Sequence, residues 1–84
     1  MEQKIGKITH YFDKIGVGVI ALSDGELHVG ATIKVKGHEH EFEQVVNSMQ
    51  IDRQEVAAAA IGQAIGLKVD EPVKEGDEVF VVTD

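Results

Sequence analysis

Apolar and polar side chains alternate over most of this chain, and the period of two is the mark of half-buried strands. Ile5 to Phe12 mixes β-branched, aromatic and polar residues, while Ile15 to Leu22 is a nearly continuous apolar run that includes Gly16 and Gly18. Asp13-Lys14 between the two runs predicts a tight connection. Gly16 and Gly18 fall on one side of the second run, where the backbone can bend strongly or be approached closely. Ser23-Asp24-Gly25 is a turn signal, followed by a short arm with Leu27 and Val29, a turn at Gly30-Ala31 and a strand from Thr32 to Gly37.

Glu41 to Ile51 alternates less cleanly. The change of phase between Phe42 and Val45 predicts a β-bulge within one strand. Asp52-Arg53-Gln54-Glu55 has the form of a capping box ahead of Val56-Ala57-Ala58-Ala59-Ala60, which predicts one short helical turn near residues 53-60, stopped by Gly62. Ile65, Leu67 and Val69 alternate as a strand, Pro72 breaks the pattern, and Glu75-Gly76-Asp77 turns into a last strand from Glu78 to Val82. About six short strands with glycine at the corners, Gly30, Gly62, Gly66 and Gly76 among them, predict an all-β chain closed into a small barrel. An open sheet of this size would leave apolar edges unpaired.

Composition narrows the picture. The 84 residues provide for one core, so residues 1-84 are expected to form a single domain. The absence of cysteine removes disulfides, thiolate metal sites and a cysteine nucleophile. No run approaches the length of a membrane span and the first residues do not read as a leader, so the expected location is the cytoplasm. A net charge of -7 argues against tight, nonspecific binding to duplex nucleic acid, which rests on Lys and Arg neutralising phosphates.

The series Gly6-Lys7-Ile8, Gly16-Val17-Gly18-Val19-Ile20, Leu27-His28-Val29-Gly30-x-x-Ile33, Val46-x-Ser48-Met49-Gln50, Gly62-x-x-Ile65-Gly66-Leu67 and Val73-x-x-Gly76-Asp77-x-Val79 spans essentially the whole chain. In this order it resembles the second domain of translational GTPases such as elongation factor Tu. It is also similar to the C-terminal barrel of U32-family peptidase-like proteins, several of which are linked to RNA modification. The resemblance implies a closed six-stranded Greek-key barrel of the translation-protein domain II type. Gln63 follows Gly62 where the family usually carries an acidic residue. No G-x-x-x-x-G-K-[ST] loop is present, so no GTP binding is expected.

Few side chains suggest chemistry. Lys34, Lys36, His38 and His40 share one parity and would line one face of a continuous strand as a narrow basic strip. Arg53, the sole arginine, could anchor a phosphate or carboxylate. These five residues form the candidate interaction surface. No Ser/His/Asp set has triad spacing, no catalytic residue is assigned, and two imidazoles alone do not make a metal site. The expectation is therefore a chain that is not an enzyme and needs no cofactor. It would be a binding module docking on RNA (tRNA or rRNA), a ribonucleoprotein or a partner such as a translation or RNA-modifying protein. Two alternatives stand beside it: a stand-alone subunit of a U32-peptidase-like RNA-modifying enzyme, and a metal-binding protein acting through the His38-His40 hairpin.

Overall fold

The alternation along Val17–Leu22 buries Gly18, Ile20 and Leu22 and leaves the residues between them half-exposed, as one face of a curled sheet requires. The same period recurs in Thr32–Lys36 and Ala64–Lys68, so Ile33, Val35, Ile65 and Leu67 point into the same interior. A computed structural model describes residues 1–38 and 40–83. These form β1 (Glu2–Phe12), β2 (Val17–Leu22), β3 (Leu27–His28), β4 (Thr32–Lys36), β5 (Glu41–Val45), β6 (Met49–Ile51), β7 (Gln54–Val56), β8 (Ala58–Ala59), β9 (Ala64–Lys68) and β10 (Glu78–Val82). Every pairing is antiparallel.

The all-β expectation holds, with more and shorter strands than the six expected. Eight of them form one sheet in the order β5-β4-β10-β1-β2-β9-β6-β7, and β3 pairs with β8 in a small second sheet. Backbone bonds from Val29 to Ala57 and from Gly30 and Val46 to Val46 and Ala31 stitch the small sheet to the large one. The ladder does not run round into a ring, because β5 and β7 are its two ends. In place of a backbone ladder, the Gln44 side chain on β5 reaches past the end of β9: its Nε2 donates to the Lys68 carbonyl at 2.9 Å and its Oε1 accepts from Asp70 N at 2.8 Å.

The interior is aliphatic. Ile20, Ile33, Val46, Ile65 and Val79 are completely buried, joined by Ile5, Ile8, Leu22, Leu27, Val35, Met49 and Leu67. Burying one such side chain contributes roughly 1.5–3 kcal/mol, so a few of them account for much of the stability of a small domain. Gly6 sits where β1 passes β2 so closely that a Cβ would lie 2.0 Å from the Ala21 carbonyl oxygen, which excludes any side chain there.

Two local expectations are corrected. No helical turn forms near residues 53-60. Asp52 and Arg53 take φ of 51° and 67°, left-handed values that reverse the chain into a hairpin pairing Met49 with Val56 and Ile51 with Gln54. A helix of so few residues is marginal, whereas the same residues as strands join existing ladders, and Ala59 is buried by pairing with Leu27. The phase change inside Glu41 to Ile51 is also different from the expected bulge. Phe42, Gln44 and Val46 all face inward, so the alternation is intact through β5 with a polar residue at one inward position. Among the glycines, Gly30, Gly62 and Gly76 each take φ of 95°, while Gly66 lies within β9 rather than at a turn. Gln63, in place of an acidic residue, accepts the Ala60 N–H at its side-chain oxygen, 2.8 Å away.

Candidate interaction site

The last strand of the chain inserts between β4 and β1, which brings the outward side chains of three distant segments together. Lys4 stands opposite Phe80, and Phe80 opposite Lys34, in adjoining ladders. On this face the Glu2 carboxylate accepts from Lys34 Nζ at 2.7 Å on one oxygen and pairs with Lys36 Nζ at 2.9 Å on the other. The Lys34 hydrogen bond, then that of Lys36, holds the Glu2 carboxyl well below its ordinary 4.5, at about 2. The same contact raises Lys34. Lys36 also lies 4.7 Å above the Phe80 ring, which fixes its stem over an apolar surface. Lys4 and Glu78 pair at 2.9 Å, raising the lysine and lowering the carboxyl.

Beside this network a cleft of about 580 Å³ opens between β1, the turn after β4 and the turn before β10. Lys4, Lys7, Lys36 and His38 line it together with Glu75, Asp77 and Glu78. Asp77 is buried, and its carboxylate accepts the Lys74 N–H at 2.9 Å, which holds the turn that lines the cleft. The cleft therefore carries both signs of charge.

The five residues expected to share a surface are separated. Lys36 and His38 reach the cleft, whereas Lys34 is tied beside it to Glu2, with Glu43 at 3.8 Å. The strip breaks after Lys36 because the chain reverses: Gly37 N donates to the His40 carbonyl at 2.9 Å, so His40 belongs to the neighbouring strand's entry, where its ring stacks on Phe42. Glu39 lies outside the described residues. Arg53 is exposed at the β6–β7 turn, on a different part of the sheet. Two lysines paired with Glu2, one of them also near Glu43, offer less charge to a phosphate backbone than the bare strip would. Among the described residues no three His, Cys, Asp or Glu side chains gather as metal ligands. Glu2, Lys4 and Gln44 escaped the sequence reading, since their partners lie far along the chain and no local period marks them. Among the described residues, no helix is long and apolar enough to cross a membrane.

No family model matches this sequence. The chain is 35% identical over 80 residues to an uncharacterized protease of Methanocaldococcus jannaschii, covering 94% of this chain and 19% of that protein. It is 32% identical over 77 residues to a collagenase of Porphyromonas gingivalis, covering 90% of this chain and 21% of the relative. The chain thus spans about a fifth of the length of the curated relatives it matches. Its fold is that of the C-terminal domain of a Geobacillus thermoleovorans protein assigned to the U32 peptidases, with a TM-score of 0.87 at 20% identity over 94% of this chain and 91% of that domain. A selenomethionine form of the same domain superimposes with a TM-score of 0.85, again at 20% identity, over 92% of this chain and 96% of that one.

The likeness to the C-terminal domain of a U32-type protein therefore holds at the level of the fold, and none of the relatives named here is a translational GTPase. One expectation is overturned. A chain that is not an enzyme does not fit relatives named as a protease and a collagenase, because the similarity runs to enzymes.

Proposed function

We propose that this chain is the small β domain of a U32-peptidase-type enzyme, present as its subunit or as a joined domain, and that it positions the enzyme's partner or substrate at the charged cleft. The observation that carries the reading is the 35% identity over 94% of the chain to a short region of a protease five times its length. A segment matched so completely within a larger protein is a module of that protein. The mixed charge of the cleft suits a polypeptide surface that presents both signs, and its walls are braced by the Lys4–Glu78 pair and the Asp77 turn.

The test is an exchange. In the Methanocaldococcus jannaschii protease, the matching region is deleted in one variant and replaced by this chain in another, and peptide hydrolysis and folding are measured for both. The reading expects the replacement to restore what the deletion loses. A replacement that behaves like the deletion, while folding normally, overturns it.

A further inference from the structure

Strand β5 ends the large sheet, and its register settles which backbone groups face outward. Gly37 N donates to the His40 carbonyl and Val46 N to the Ala31 carbonyl, so His40, Phe42, Gln44 and Val46 direct their backbone groups toward β4. Glu41, Glu43 and Val45, the residues between, turn theirs away from it. Their side chains are exposed, with Val45 at 48%. From the inner side, the Gln44 amide braces this strand against Lys68 and Asp70. The edge is thus braced at Gln44, and it turns away from β4 a row of backbone groups to which a strand can be added.

The charge on that edge selects the occupant. Glu41 and Glu43 are two residues apart on one exposed face, and exposed Asp70 and Glu71 follow the Gln44 contact across the seam. Lys34, opposite Glu43 in the ladder, is held by Glu2 at 2.7 Å and reaches Glu43 only at 3.8 Å, so it offsets the charge of that edge in part. A second copy of this chain added in antiparallel fashion would set Glu43 opposite or beside a carboxylate of its mate, an unfavourable like-charge contact. We infer that β5 accepts, as an added strand, an extended polypeptide segment carrying Lys or Arg at alternate positions. Backbone bonds to Glu41, Glu43 and Val45 would hold it, and its cations would stand opposite the two glutamates. This inference does not depend on the U32 reading.

The probe is a nine-residue peptide alternating Lys and Val, with an alternating Glu and Val peptide as control, titrated into the full chain and followed residue by residue by NMR. The expected result is shifted and slowly exchanging amides at Glu41, Glu43 and Val45, with Phe42 and Gln44 already protected before addition. The Glu peptide binds at least about tenfold more weakly. Val45→Pro removes an outward N–H without removing a bond to β4, so it keeps the fold and loses the peptide. Glu41→Gln with Glu43→Gln keeps the backbone edge and weakens binding about tenfold. Unmoved edge amides, equal affinity for the two peptides, or protection of these amides by dimerisation in sedimentation experiments would each overturn the inference.

Discussion

Glu2 shows how much one side chain can connect. Its carboxylate binds two lysines on β4, across the intervening β10, and so ties the first strand to the fourth. With a folded value of about 2 against an ordinary 4.5, it takes up a proton more readily in the unfolded chain. Its contribution is therefore fully present above 4.5 and is lost as pH falls from there toward 2. Melting curves between about pH 6 and pH 2 should show the native chain more stable than Glu2→Gln at the upper end, with the difference vanishing at the lower. A difference independent of pH would mean that the pairs do not act through this carboxyl. Local patterning could not have found Glu2, because its partners are on another strand and only the insertion of β10 brings them into reach.

Among the elements, the β6–β7 hairpin is the one most misjudged from sequence. Asp52 to Glu55 has capping-box chemistry, and an alanine run follows, so helix propensity and local hydrogen bonding both favour a helix. The tertiary structure reverses this because β6 pairs with β9 and the returning strand extends the same sheet. Arg53 then carries a positive φ of 67°, which disfavours any residue with a Cβ. Arg53→Gly should stabilise the chain by about 1 kcal/mol, raising the melting temperature by roughly 4–8 °C. In a helix the same change would destabilise by about 1 kcal/mol, so the sign in a thermal melt decides between the two structures.

For the molecule as a whole, closure is the decisive question. The eight-stranded sheet curls round a shared core but its ends do not meet in a backbone ladder, and the Gln44 amide supplies two hydrogen bonds across the gap. Gln44→Ala leaves the Lys68 carbonyl and the Asp70 N–H without that partner and should cost about 1–3 kcal/mol, read as a lower urea midpoint. The loss should be cooperative over the whole chain, since β5 and β9 lie on opposite sides of the strand order. A change confined to amides near residue 44 would show that the bridge is only a local contact.

The alternation of β-branched residues, with glycines between the runs, was enough to establish an all-β chain and the positions of β2, β4, β9 and β10. Those features are local: a period of two places a side chain on one face whatever lies opposite. Which strands meet was not local. The placement of β10 between β1 and β4, the left-handed turn at Asp52-Arg53, the amide bridge of Gln44 and the pairing of Glu2 with Lys34 and Lys36 all depend on segments distant in the chain. Packing against those segments overrode helix propensity at residues 53-60, and it turned an expected basic strip into an ion-paired network beside a cleft of mixed charge.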